Sequence, residues 1–312
     1  MTLNLTLHGL PVTLVASCLG DEDTGGGLLY YNTTDWLAID NVSTTGLYVS
    51  GNELTRMLWA PSQAASGTSI LHYNTEGLAR TVTIEGFTDP HDVLWDGSHY
   101  VAVSSHQNAV VWVDPHGAVV RRFQPAQEPD AWHLNSLLLR ENILYGTAFG
   151  RYQQSRGWDG HQREGTGMLF RLDTGEDVLS GLCCPHTPRF ESGQWIVCNS
   201  ATSEIAVYTV TGELVRSVKL QDWARGLAVS DRYLLVGQSV NRQLTREVRG
   251  ATVAVVDRDT WTVAGLLQLP FREVYDLVLV SAPLLQGILH SDDARLRALR
   301  PAQIPVKSAE QS

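Results

Sequence analysis

The chain has 312 residues, long for a single domain, yet closed all-β architectures of this size fold as one unit, so one large domain at 1–300 is the simpler expectation. A net charge of −10 with no Lys/Arg cluster excludes nucleic acid and anionic membranes as partners, because neutralising phosphates needs a concentrated basic face. The opening residues lack a cationic stretch and a clean apolar run, and no segment reaches spanning length, which together predict a cytoplasmic protein.

Long helical periodicity is missing. Short β-rich runs recur instead between Gly, Asp, Asn and Pro turns. From the N-terminus, VTLVASC and GLLYYNTTDWLAID lie within residues 12–40, followed by TGLYVSGNELTRMLW (45–59) with SILHYNTEGLARTVTI (69–84). The next segments lie over one another as strand, tight turn, strand: HDVLWDGSHYVAV (91–103), HLNSLLLRENILYG (133–146), HTPRFESGQWIVC (186–198) and RGLAVSDRYLLVG (225–237). Each is followed by two more strands joined by turns such as Thr-Gly. A sixth copy, YDLVLVSAPLLQGIL (275–289), stops early.

Copies beginning near 45, 91, 133, 186, 225 and 275 match the length of a propeller blade, since a lone four-stranded sheet must stack on neighbours to bury both faces. The fold class predicted is all-β: a six-bladed β-propeller of four-stranded blades. Residues 12–44 complete the last blade, so both termini close the ring and remove open sheet edges. The tail 301–312 is too polar to pack and is expected to fray.

The first strand of each propeller blade lines the channel, so the copy starts gather at one mouth: Thr45, His91, His133, His186, Arg225 and Tyr275. Imidazoles from three consecutive blades suit a divalent transition metal (zinc, copper or iron) held by His91, His133 and His186. Two other readings stay open: polar rings bonded around channel water, or a metal-free acid/base site. Glu273 or Asp276 is a candidate fourth ligand or base, and Tyr275 a further catalytic candidate. Arg189 and Arg225 are candidates for holding a substrate carboxylate or phosphate, with Asn135 beside His133. The loops 150–167 and 238–250 are long, and Trp158 and His161 within the first read as a substrate wall. The acidic GDEDTGGG (20–27) lacks the ligand spacing of a calcium loop. Cys18, Cys183, Cys184 and Cys198 form no disulfide framework and suggest no mechanism.

The segments HLN (133–135), PHTPR (185–189) and RGLA (225–228) resemble, in this order, motifs of a bacterial family of propeller-like proteins known only as a domain of unknown function. The resemblance spans roughly 85–280 and implies a propeller with no transferable activity. Thr187 stands where that family more often has Ser. The functional expectation is a metal-dependent enzyme acting on a small anionic or polar substrate at the channel mouth, its reaction class open. The competing expectation is a non-catalytic propeller that binds a peptide or protein on its loop-rich face.

Overall fold

The computed structural model describes residues 2–20, 26–60, 67–240 and 250–291. Five four-stranded antiparallel sheets, each in sequential strand order, and a sixth built from both ends of the chain stand around a central channel, which makes the six-bladed propeller. Blade 1 runs from Thr44–Ser50 to Gly77–Ile84, blade 2 from Pro90–Trp95 to Val119–Phe123, and blade 3 from Leu137–Arg140 to Asp177–Leu182. Blade 4 runs from Pro185–Glu191 to Leu214–Lys219, and blade 5 from Trp223–Val229 to Thr262–Gln268.

Burial follows strand order within a blade. In blade 2, Tyr100–Ser104 and Ala109–Val113 are wholly buried, whereas the outermost strand Val119–Phe123 is mostly exposed. A middle strand is covered on both faces by neighbouring blades, which explains why these strands read as unbroken apolar runs instead of alternating. Successive side chains of one strand serve two different cores. Val101 and Val103 pack toward blade 3 with Ala148, Met168 and Phe170. Tyr100 and Ala102 pack toward blade 1 with Met57, Ile70 and Val82. Turn chemistry fixes the hairpins: the Asp114 carboxylate accepts from the N–H groups of His116 and Ala118, and Gly117 takes the left-handed conformation that the turn needs.

Blade 6 closes the ring. Its inner strand Glu273–Ser281 pairs with Leu10–Leu19 in register from Val12↔Ser281 to Leu19↔Glu273, and Gly27–Tyr31 and Trp36–Asp40 complete the sheet. A buried ion pair joins its outer strand to blade 1. Both Arg56 Nη atoms bond to the Asp40 carboxylate, Nη2 also donates to Val42 O (3.0 Å), and Nε donates to Thr44 Oγ1 (2.9 Å).

The sixth copy departs from the sequence expectation after Ser281, where Ala282–His290 is an α-helix. Ser281 caps it by accepting from Leu284 N, and Pro283 lies in the first turn. Leu284, Leu285 and Ile288 fall on one helical face and pack against Leu54 and Leu71 of blade 1. Gly287 lets the helix press onto blade 1, since a Cβ there would lie 2.3 Å from Asn74 O. Among the described residues no helix is long and apolar enough to cross a membrane. The tail 301–312, most of the 20–27 turn and positions 241–249 of the second long loop lie outside the described residues.

Candidate active site at the channel mouth

Bonds between neighbouring inner strands define which residues are equivalent around the ring. Asp276 Oδ2 accepts from Leu47 N (3.2 Å), Asp92 Oδ2 from Leu137 N (2.8 Å), Ser136 Oγ from Thr187 N (3.0 Å) and Thr187 Oγ1 from Gly226 N (3.0 Å). Gly46 and Gly226 fill the same position where backbones close in, a Cβ at Gly46 falling 2.6 Å from Val93 N. Serines at the end of second strands repeat the pattern. Ser105 donates to Leu134 O, Ser200 to Ala224 O (2.5 Å) and Ser239 to Val274 O (2.8 Å).

The residues at equivalent register positions around the ring are therefore Thr45, His91, Asn135, His186, Arg225 and Tyr275. This corrects the sequence reading for blade 3, where Asn135 and not His133 is the counterpart of His91 and His186. His133 lies two residues earlier in a loop. It nevertheless reaches the same pocket, because Asp130 and His133 both take the left-handed conformation (φ +53° and +50°) and turn the segment inward. Backbone strain gathers here: Asp89, Cys184 and the β-branched Thr187 (φ +45°) also have positive φ.

Each imidazole is fixed through Nδ1. His91 Nδ1 faces Asp89 O (3.3 Å), His133 Nδ1 faces Asp130 Oδ1 (2.6 Å), and His186 Nδ1 faces both Cys184 O (3.0 Å) and Ser200 Oγ (2.7 Å). Carbonyl and carboxylate oxygens only accept, so Nδ1 carries a proton in all three rings and Nε2 is the ring nitrogen left for other partners. All three histidines line the same pocket. Burial drives the His91 pKa down to about 4, further lowered by His133 and Arg225, and holds His186 well below the usual histidine range.

The His91 and His133 rings lie 5.3 Å apart, edge to face, and His91 lies 5.5 Å from Tyr275. Phe149, by position the blade-3 counterpart of Ser105 and Ser200, packs 4.1 Å from His133 and 5.4 Å from His186. Trp158 from the long 150–167 loop covers His133 at 4.6 Å and donates its indole N–H to Asp130 O (3.0 Å). Opposite, the buried Arg225 guanidinium lies 3.3 Å over the Tyr275 ring and donates through Nη1 to Glu273 Oε1 (2.8 Å). These groups enclose a cavity of about 710 Å³, with Trp59, Trp223, Arg156 and Arg163 on its walls.

His91, His186, Arg225 and Tyr275 also form the roof of a second, narrow cell of about 10 Å³ inside the channel, lined by Asp92, Asn135, Ser136, Thr187 and Asp276. Burial raises the Asp92 pKa well above the carboxylate range, aided by the charge of Asp276. Burial likewise raises Asp276 to about 6, against the pull of Arg189.

The structure thus gathers His91, His133, His186, Arg225, Glu273, Tyr275 and Trp158 in one pocket. Asp276 and Asn135 lie deeper in the cell, Asp276 tied to blade 1 through Leu47 N and Asn135 held within blade 3 by His133 O, Ser136 and Thr147. Arg189 lines neither space; it lies further along its strand, with Nη2 3.9 Å from Asp276 Oδ1. His161 is half exposed, pairs with Glu164 (2.8 Å) and points away from the pocket that its neighbour Gln162 lines. Asp130, Phe149 and Trp223 are site residues that sequence reasoning passed over. An aspartate three residues before His133 is the signal for the first. Among the described residues no three His, Cys, Asp or Glu side chains already meet as a metal-ligand group, and Phe149 packs against both His133 and His186.

The sequence profile of a domain of unknown function, DUF4915, matches residues 40–285. The chain belongs to this family. No curated protein matches it. Among solved structures, a nidogen/laminin complex matches with TM-score 0.61 at 12% identity, covering 86% of this chain and 98% of the other. A protein of unknown function from Bacteroides caccae gives 0.57 at 12%, covering 86% and 99%. A putative 6-phosphogluconolactonase from Bacteroides fragilis gives 0.52 at 12%, covering 84% and 83%. At this identity the likeness concerns the fold alone.

Proposed function

We propose that the channel mouth is the active site of an enzyme acting on a small polar or anionic substrate, and that His91, His133 and His186 take up a divalent transition metal (zinc, copper or iron) there. The observation that supports this reading is the fixing of all three Nδ1 atoms by acceptors on rings that line one pocket. Ligating histidines are oriented in this way by their outer partners. The 5.3 Å between the His91 and His133 rings suits two imidazoles on one tetrahedral ion, for which metal–nitrogen bonds of ~2.1 Å require ring centres about 5 Å apart. His133, which stands on a loop, would have to shift relative to Phe149 for His186 to share the ion. A metal there would supply Lewis-acid activation of a substrate oxygen or of water.

The concave shape favours a small molecule over a protein partner. Trp158, the large apolar side chain of the 150–167 loop, is buried against His133 and does not form an exposed anchor. The test is elemental analysis of protein purified without an affinity tag. Near-stoichiometric zinc, copper or iron, lost from the His91→Ala/His133→Ala/His186→Ala variant, supports the metal. A folded, metal-free protein that ignores added metal overturns it. One observation favours a second, metal-free reading: the 2.6 Å Asp130–His133 pair has the geometry of a general base steadied by a carboxylate.

A further inference from the structure

The donor and acceptor pattern of the pocket narrows the ligand class. Each Nδ1 faces an acceptor, so Nε2 is the ring nitrogen that His91, His133 and His186 can offer a ligand, and hydroxyl groups, which both donate and accept, suit such a wall. Among the described residues one buried cation stands directly beside them. Arg225 donates through Nη1 to Glu273, lies over the Tyr275 ring and lines the pocket. A ligand that satisfies both halves carries hydroxyl groups and a single oxyanion.

Glu273 already offsets much of Arg225, and Arg156 on the wall pairs with Asp130 and Asp159. A planar, singly charged carboxylate matches the guanidinium fork of Arg225. Indole faces from Trp59, Trp158 and Trp223 supply flat walls for the C–H face of a ring.

We infer, building on the active-site reading above, that this pocket binds a hydroxylated carboxylic acid of uronic-acid type, with its carboxylate on Arg225 and its hydroxyls on the imidazole side, bonded to Nε2 in the metal-free protein and to the ion when one is held there. The test is calorimetric titration with a matched set: D-galacturonate, D-galactose, D-galactose 6-phosphate and acetate, in EDTA and again after zinc addition. Galacturonate is expected to bind at least ten-fold more tightly than each of the other three. Arg225→Gln should bring galacturonate to the galactose level while leaving galactose unchanged, a pattern that general damage to the fold does not produce. Arg225→Lys, which keeps the charge and loses the fork, should fall between. Galactose or acetate within three-fold of galacturonate, a preference for the phosphate, retention of the preference in Arg225→Gln, or no galacturonate binding in either condition overturns the inference. A protein that takes no zinc but prefers galacturonate overturns the metal reading and leaves this one standing. Stoichiometric zinc without the preference does the reverse.

Discussion

His91 is buried in its neutral form, and replacing it by a side chain that cannot ionise should change how stability depends on pH. Burial moves its pKa from 6.5 in the unfolded chain to about 4 in the fold. At about 1.4 kcal/mol per factor of ten, the contribution is about 3 kcal/mol. The sign follows from proton counting: between pH 6.5 and 4 the unfolded chain binds a proton that the folded chain refuses. The contribution is therefore complete above pH 6.5 and lost as the pH falls to 4. Asp276 works in the opposite sense, because its raised pKa of about 6 favours the fold as the pH drops from 6 toward 3.8. The wild-type profile alone mixes the two, whereas the difference between wild type and His91→Gln isolates the histidine. Unfolding at this chain length carries an entropy of ~0.65 kcal/mol/K, so the advantage of wild type over His91→Gln should shrink by about 5 °C in Tm between pH 7.5 and 4. Thermal melts in EDTA, followed by circular dichroism, measure this. Profiles that run parallel within about 1 °C would refute the burial argument.

The ring closure is equally open to test. Arg56→Met leaves the Asp40 carboxylate buried without its partner and should cost about 3–5 kcal/mol, or roughly 5–8 °C in Tm, with Asp40→Leu/Arg56→Met less damaged than the sum of the single changes. Gly46→Ala sets a methyl group 2.6 Å from Val93 N and should cost about 1–3 kcal/mol by prising blades 1 and 2 apart, read from urea unfolding. Asp130→Asn weakens the hold on His133 Nδ1 and should lower zinc affinity by about 10–100-fold with Tm nearly unchanged, measured by competition with a chromophoric chelator.

The blade count was legible because each middle strand is sandwiched between two neighbours and writes that burial as a run such as AVVWV or TVAVV. Closure by the N-terminal strands was legible from the truncated last copy, whose exposed edges had to be paired. The helix Ala282–His290 was misread because LLQGIL is short and apolar, and a run of that kind fits a buried strand as well as a helix. What separates the two is the Ser-Ala-Pro start, a local capping signal that repeat matching overlooks.

The site was legible as a face of the ring and less so as a register. Thr45–Trp59, His91–Ser105, Asn135–Phe149, His186–Ser200 and Arg225–Ser239 superpose without a gap, fifteen residues each, once blade 3 begins at Asn135. Aligning histidine with histidine shifted that blade by two positions and hid Phe149 as the aromatic substitute for a serine. The corrected register carries a mechanical consequence. His91 and His186 precede Asp92 and Thr187, whose side chains tie neighbouring inner strands together, so neither ring can move far without loosening blade contacts. His133 belongs to no such tie. It stands on a left-handed loop, bonded to Asp130 and covered by Trp158, which itself bonds back to Asp130. Adjustment of the site to a bound ion or substrate is thus concentrated in the Asp130–His133–Trp158 unit, while the two tied imidazoles and Arg225 supply a fixed frame against which it closes.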